Sequence, residues 1–150
     1  MIETYVEKEL RENGAYILKT AGTSMRPLFK EGRDTVIIEK AANPLKKYDV
    51  ALYRAAEGRY ILHRVIAVRD GYYVIRGDNT YVKEKVDFND VVGVLVSFRR
   101  GEKLHTVNEM GYRCYSRLWN FIYPVRAFWH NFRIFLGKIR RKVFKKKGSS

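Results

Sequence analysis

Short runs of β-branched and aromatic residues, divided by turn signals, constrain the fold of this chain more than any other feature. The predicted strands cover residues 15–19, 35–39, 50–54, 60–68, 72–76 and 91–99. Asp70-Gly71, between two of these runs, is typical of a tight hairpin turn. Strands at such close spacing predict a mainly β domain with a twisted sheet.

A helical pattern of apolar residues marks the start of the chain. Residues 2–12 place Ile2, Val6 and Leu10 on one face of the predicted helix. Asn13-Gly14 follows directly and is a typical end signal for a helix. We therefore expect one short N-terminal helix before the first strand.

A longer helical pattern fills the end of the chain from about Tyr112 onward. Its apolar stripe alternates spacings of four and three residues, and consists of Leu118, Ile122, Val125, Trp129, Phe132, Leu136, Ile139 and Val143. Pro124 and Gly137 predict kinks or breaks in this helix, which would divide it into two or three pieces. The fold class is therefore expected to be α+β, with a β domain over residues 1–109 and an amphipathic helical tail over 110–150.

The distribution of charged residues divides the chain at the same point, near residue 110. The sequence carries 30 Lys and Arg, 16 Asp and Glu, and a formal net charge of +14. All 16 acidic residues precede residue 110, whereas residues 110–150 hold 11 basic residues and no acidic one. A basic, aromatic, amphipathic helix over residues 112–147 is typical of a segment that lies on an anionic membrane. The alternatives are packing on the β domain and self-association through the heptad spacing, and nucleic acid is disfavoured because no binding module is recognisable.

Several classes of protein are excluded by what the sequence lacks. Cys114 is the single cysteine, so a disulfide scaffold within the chain is impossible. No residues have the spacing of a metal cluster, and we expect neither a metal nor an organic cofactor. The first 13 residues are charged and do not resemble a secretory signal, and no run of 18 apolar residues predicts a spanning helix. The expected location is cytoplasmic and peripheral, at the inner face of the membrane.

Three residues have the chemistry that acyl transfer needs, which is a nucleophilic oxygen and a base to accept its proton. Ser24 lies in a loop bounded by glycine and proline, directly after a predicted strand. His63 lies in an apolar strand, and its reference pKa of about 6.5 suits a base near neutral pH. Asp78 lies in a glycine turn and could orient the histidine. Each one alone also fits an ordinary turn or strand residue, and His105 and His130 have no supporting context.

The order of several sequence blocks gives these three residues more weight. The blocks are Gly22-Thr23-Ser24-Met25-Arg26-Pro27, Lys47-Tyr48-Asp49-Val50, Leu62-His63-Arg64-Val65, Arg76-Gly77-Asp78-Asn79 and Val92-Gly93-Val94. In this order they resemble the signal peptidase superfamily over residues 15–100. A histidine at the position of the base resembles the Ser/His design of the archaeal, endoplasmic-reticulum and spore-former enzymes, and differs from the Ser/Lys design of the usual bacterial signal peptidases and the self-cleaving repressors.

The resemblance implies a serine endopeptidase that forms an acyl-enzyme without metal or cofactor. Ser24 is then the nucleophile and His63 the general base, with Asp78 as support for His63 and the Ser24 N–H as oxyanion donor. The Ser/His enzymes usually carry a second aspartate after the turn, for which this chain offers Glu84 or Asp87. Of these two, Glu84 is favoured.

The implied substrate is a precursor peptide with a leader or signal-like segment and small residues just before the cut. Such a peptide would bind in an extended form beside the site. The rival interpretation is a catalytically inactive peptide-binding or membrane-associated protein that kept the fold. A self-cleaving repressor is disfavoured because its design uses lysine as the base.

Overall fold

The computed structural model describes residues 4–41, 44–56 and 58–147 and has an α+β fold built on an antiparallel sheet. The helices are α1 (Tyr5–Glu12), α2 (Met110–Phe121) and α3 (Tyr123–Lys147), and a 3-10 turn covers Phe88–Asp90. The strands are β1 (Ala15–Lys19), β2 (Asp34–Lys40), β3 (Val50–Arg54), β4 (Tyr60–Arg69), β5 (Tyr72–Arg76), β6 (Glu84–Asp87), β7 (Val91–Arg100) and β8 (Lys103–Thr106). The expected combination of a β domain with an N-terminal helix and a C-terminal helical segment is confirmed.

The sheet is open, and its strands do not follow chain order. Among the described residues the order is β1-β2-β7-β3-β4-β5-β6, and β8 also pairs with β7. All these pairs are antiparallel. The predicted hairpin at Asp70-Gly71 is present, since Arg69 pairs with Tyr72, and Gly71 has the positive φ of 79° that favours glycine in such a turn.

Two short strands, β6 and β8, were not predicted from the sequence. In β6 only Val86 is buried, and in β8 none of the four residues is fully buried. Strands this short, with so little apolar alternation, give no periodic signal. Their places in the sheet come instead from pairing with the longer strands β5 and β7.

The helices differ in detail from the prediction. The C-terminal helical segment is interrupted at Ile122, between α2 and α3. Pro124 lies in the first turn of α3, where a proline is tolerated. A break at Gly137 does not occur, because α3 continues through it. At the other end α1 begins at Tyr5, and residues 2 and 3 of the predicted helix lie outside the described residues.

Strands β3 and β4 separate two clusters of apolar side chains. Val50 and Leu52 belong to one cluster, whereas Ala51 and Tyr53 belong to the other. Side chains alternate between the faces of a strand, so the neighbouring residues His63 and Arg64 of β4 are directed to opposite faces. This alternation determines the surroundings of each charged side chain in the candidate site.

The contacts divide the chain into two units, Met1–Arg117 and Leu118–Ser150. This boundary lies later than the division after residue 109 that the sequence suggested, because the first two turns of α2 pack with the sheet. Tyr112 and Tyr115 lie against the apolar cluster that contains Val50 and Leu52. In the described part of both units, no helix is long and apolar enough to cross a membrane.

Candidate active site

Ser24 is held in the loop between β1 and β2 by contacts on both of its sides. The loop is closed by Thr20, which bonds through its N–H and its hydroxyl to the carbonyl of Asp34. Met25 and Phe29, just after the serine, are buried in the core. The N–H of Asn79 donates to the Ser24 carbonyl at 2.7 Å. These contacts fix the serine backbone, and no described residue accepts a hydrogen bond from its N–H.

His63 of β4 is oriented by Glu84 of β6. The distance between His63 Nδ1 and Glu84 Oε1 is 2.9 Å, and the side chain of His63 is only 9% exposed. An ionised carboxylate can only accept hydrogen bonds, so Nδ1 carries the proton in this pair and Nε2 remains the acceptor. A histidine in this form has the tautomer that a general base needs.

Tyr53 of β3 holds the other oxygen of the same carboxylate. Its hydroxyl donates to Glu84 Oε2 at 2.7 Å and lies 3.3 Å from His63 Nδ1. Burial raises the pKa of Tyr53, and the bond to Glu84 adds to that rise. The phenol therefore stays protonated and remains a donor to Glu84.

Gly77 lies where the loop that contains Ser24 approaches the histidine. A Cβ built on this residue would come 2.7 Å from the Ser24 carbonyl oxygen and 3.0 Å from His63 Nε2. A side chain here would displace one of the two, so the turn requires glycine. In the described chain no hydrogen bond links Ser24 to His63, and such bonds often tighten only when substrate binds.

The surroundings of His63 keep its imidazole neutral. Burial lowers the pKa of His63 below its reference value of 6.5, and the charges of Glu84 and Asp78 oppose this lowering. Desolvation outweighs the two carboxylates because an imidazolium in a site with little water loses more hydration energy than they return. The histidine is thus ready to accept a proton at neutral pH.

Asp78 has a different partner from the one expected. Its two carboxylate oxygens accept from Nε and Nη2 of Arg64, each at 2.7 Å, and the Tyr115 hydroxyl donates to it at 2.9 Å. Arg64 is fully buried and Asp78 is 2% exposed. The expectation that Asp78 orients His63 is therefore replaced: Glu84 contacts the histidine, and Asp78 neutralises a buried arginine.

Side chains of helix α2 complete the hydrogen bonds of that arginine. Nη1 of Arg64 donates to the Ser116 hydroxyl and to the Tyr48 carbonyl, both at 2.9 Å, and to the Tyr112 hydroxyl at 3.3 Å. The guanidinium also faces the rings of Tyr112 and Tyr115, 5.6 and 5.8 Å from their centroids. Three residues that the sequence assigned to the tail thus belong to the first unit and contact the buried arginine.

A cavity of about 500 Å³ opens beside Ser24 and His63, and both residues line it. Its walls are mostly apolar and include Val6 of α1, Leu18 of β1 and Leu52 of β3. The other apolar or aromatic side chains of the wall are Tyr16, Met25, Phe29, Tyr60, Ile61 and Leu62. The candidate nucleophile and base therefore face a space large enough for substrate side chains.

Two strand edges border this cavity. β1 pairs only with β2 in the described chain, so its other edge is open. β4 pairs with β5 only from Arg64 onward, so the described residues leave the same edge of Tyr60–His63 without a strand. Residues of both edges line the cavity, so backbone donors and acceptors border it on two sides.

The second carboxylate was left open between two residues, and their surroundings differ. Asp87 accepts from the N–H of Asn89 at 2.9 Å and caps the 3-10 turn, whereas Glu84 contacts His63. The favoured residue is therefore the one beside the histidine. Among the described residues, no group of three or more His, Cys, Asp or Glu could hold a metal ion.

Sequence reasoning missed the parts played by Tyr53 and Arg64. Tyr53 had a usable signal, because a hairpin between the predicted strands 50–54 and 60–68 would place it on the same face as His63. Arg64 had a weaker one, since a charged residue inside an apolar strand needs a buried partner. Neither signal identifies the partner by itself.

Comparison with models of known protein families gives no match, and comparison with curated protein sequences gives none either.

Proposed function

We propose that this protein is a serine endopeptidase in which Ser24 is the nucleophile and His63 the general base. The observation that carries the proposal is the double role of His63. Its Nδ1 contacts a carboxylate at 2.9 Å, while its Nε2 lies against Gly77, which also contacts the Ser24 backbone. A serine and a histidine that line one apolar cavity, with a carboxylate on Nδ1 of the histidine, fit acyl transfer better than any binding role alone.

The mechanism follows from these positions. Ser24 Oγ attacks the carbonyl carbon of the substrate, and its proton passes to His63 Nε2. The N–H of Ser24 donates to the oxyanion that develops. His63 then protonates the leaving amine and the acyl-enzyme remains. A water molecule gives a proton to His63 and attacks the ester, and the same proton returns to Ser24 as the acid leaves.

The two open strand edges support an extended peptide as the substrate. A peptide strand between β1 and the start of β4 would find main-chain donors and acceptors on both sides. The apolar walls of the cavity would then receive its alternate side chains. A leader or signal-like segment of a precursor, unstructured before cleavage, has the required extended form.

The proposal agrees with the resemblance to the Ser/His signal peptidases over residues 15–100. The agreement extends to the order of the blocks and to the placement of Ser24 and His63 around one cavity. The chain differs from those enzymes in its acid, because the glutamate Glu84 of β6 contacts the histidine where they usually carry an aspartate. The longer side chain of glutamate reaches Nδ1 from the strand on the far side of β5.

The test is cleavage of a diverse synthetic peptide library by the full chain, read by mass spectrometry. Ser24→Ala and His63→Ala should each reduce cleavage by more than about 10³-fold while the thermal melt is kept. The matched control is His105→Ala. His105 also has a carboxylate on Nδ1, that of Glu109 at 3.0 Å, but it does not line the cavity with Ser24.

Two results would contradict the proposal. Cleavage that survives Ser24→Ala would assign the activity to another residue or to a contaminant. Peptides that bind in the cavity without being cut by the wild-type chain would favour the rival, an inactive peptide-binding protein.

A further inference from the structure

Helix α3 exposes large apolar side chains to solvent. Phe128 is 65% exposed and Trp129 is 57% exposed, values far above those of core residues. Among the side chains of this helix that the structure describes, which end at residue 141, the other large apolar ones that are exposed are Val125, Phe132, Ile134, Phe135, Leu136 and Ile139. A continuous apolar surface of this kind marks an interaction site.

The exposed residues share one face of the helix, with one exception. Val125, Phe128, Phe132, Phe135 and Ile139 follow one another at spacings of three and four residues, and such spacing keeps side chains on one side of a helix. Ile134 lies off this stripe, close to the opposite side. The molecule thus contains an internal comparison: Ile134 is 44% exposed and Ile139 is 42% exposed, but only Ile139 belongs to the stripe.

The charge of this segment has a single sign. Arg126, Arg133 and Arg140 repeat every seven residues and flank one side of the stripe, and residues 110–150 contain no acidic residue. Basic side chains beside an apolar face can extend toward lipid headgroups while their aliphatic parts stay on the apolar surface. The arrangement is complementary to an anionic surface with an apolar interior.

We infer that α3 binds the surface of an anionic lipid bilayer, with the stripe inserted at the level of the headgroups. A second copy of the chain is a poorer partner because it would bring the same positive charges close together. Tryptophan and phenylalanine suit the interface between headgroups and acyl chains. No described helix is apolar enough to span a bilayer, so the helix lies in the plane of the membrane.

The test is co-sedimentation of the full chain with phosphatidylcholine vesicles, prepared with and without phosphatidylserine. Binding is expected to require phosphatidylserine and to weaken as salt is raised, since each basic residue near the surface contributes about fivefold to the affinity. Arg133→Gln and Arg140→Gln should therefore each weaken binding by about that factor.

A matched pair of substitutions tests the orientation of the helix. Ile139→Ser removes an apolar side chain from the stripe and should weaken binding about tenfold. Ile134→Ser removes the same side chain at nearly the same exposure and should leave binding unchanged. Both substitutions are at exposed positions of the second unit, so the thermal melt of the β domain serves as the folding control.

Three results would overturn the inference. They are equal losses for the two isoleucine variants, binding that does not depend on phosphatidylserine, and the absence of binding at low salt. Sedimentation of the chain without lipid tests the other possible partner, a second copy of the chain. If the chain does not bind vesicles but forms a dimer, and Ile139→Ser dissociates that dimer, the stripe would be assigned to self-association.

Discussion

The two faces of strand β4 carry hydrogen-bonded pairs of different character, each made of one basic side chain and one carboxylate. On one face His63, which lines the cavity, contacts Glu84, whose side chain is 35% exposed. On the other face the next residue, Arg64, contacts Asp78, and both are buried. One residue step along the strand thus separates a pair whose histidine lines a cavity from a pair that is closed to solvent.

The difference shows how carboxylates of similar chemistry acquire different roles. Asp78 accepts two bonds from a guanidinium, which keeps its charge at every pH relevant to activity. It is fixed between the strand and α2, and its neighbour Asn79 bonds to the Ser24 carbonyl. Glu84 accepts from a histidine and a tyrosine, and the histidine can change its protonation. The first carboxylate neutralises a buried charge of the scaffold, and the second raises the pKa of His63 against the effect of burial.

Asp78→Asn should produce the largest effect, a loss of folding stability. The neutral amide would leave the buried Arg64 charge uncompensated, and removing one partner of a buried ion pair costs about 3–5 kcal/mol. We expect the midpoint of thermal unfolding to fall by about 10 °C or more. The control is Asp70→Asn in the exposed hairpin turn, which should unfold near the wild-type temperature. A variant at Asp78 that melts normally but cleaves nothing would return Asp78 to the role of catalytic support.

Glu84→Gln should spare the fold and reduce turnover. Glutamine can keep a hydrogen bond to His63, but it removes the negative charge that stabilises the imidazolium in the transition state. We expect kcat/KM to fall by about 10²–10³-fold, with a thermal melt close to that of the wild type.

Asp87→Asn is the matched control for Glu84→Gln. It changes the alternative acid, three residues further along, which caps a turn and does not contact His63. Its kcat/KM should stay within about twofold of the wild type. If Asp87→Asn were the variant that loses activity, the carboxylate would be assigned wrongly and the contrast between the two faces of β4 would fail.

Sequence reasoning predicted the strands that have strong local patterns. The β-branched runs and the Asp70-Gly71 turn are encoded within a few neighbouring residues, and they appear where expected. It missed β6 because its four residues, with only Val86 buried, adopt a strand through pairing with β5 rather than through their own periodicity. Since β6 carries Glu84, the uncertainty about the strand became an uncertainty about the acid.

The same limit explains the error over Asp78. The sequence placed a histidine, an arginine and an aspartate in two blocks, and either basic residue could have been the partner of the acid. Which basic residue Asp78 contacts depends on the side of β4 on which the turn after β5 lies. It also depends on α2, whose Ser116 accepts from Arg64 and whose Tyr115 donates to Asp78. These contacts join residues far apart in the chain, and no local pattern reports them.

Tyr53→Phe tests a smaller contribution to the same face. The substitution removes the donor to Glu84 Oε2 and leaves the ring in place, so the carboxylate can rotate away from His63 in part of the molecules. We expect kcat to fall by about three- to tenfold, with KM nearly unchanged. Tyr73→Phe is the control, because it also loses a buried hydroxyl contact, to the Leu45 N–H at 2.7 Å, but lies away from the histidine. Equal losses of activity in both variants would show a general effect of packing rather than orientation of Glu84.

The pH dependence gives the finest test of how the base is tuned. The proposed mechanism requires neutral His63, so kcat/KM should rise with pH through the pKa of the free enzyme. Burial lowers that pKa below 6.5, so the midpoint of the acid limb should lie below pH 6.5 and activity should already be full at neutral pH. The charge of Glu84 raises the pKa against this effect.

Removing that charge should therefore move the midpoint further down. In Glu84→Gln the residual activity should be kept to a lower pH than in the wild type, although its maximum is smaller. The measurement is kcat/KM for one cleaved peptide across about pH 4–8, with Asp70→Asn as the charge control. A midpoint that moves upward in Glu84→Gln would mean that the carboxylate does not stabilise the imidazolium, and would remove the electrostatic part of the contrast between the two faces. An unchanged midpoint in Asp70→Asn would show that the shift depends on the contact with His63 and not on the net charge of the domain.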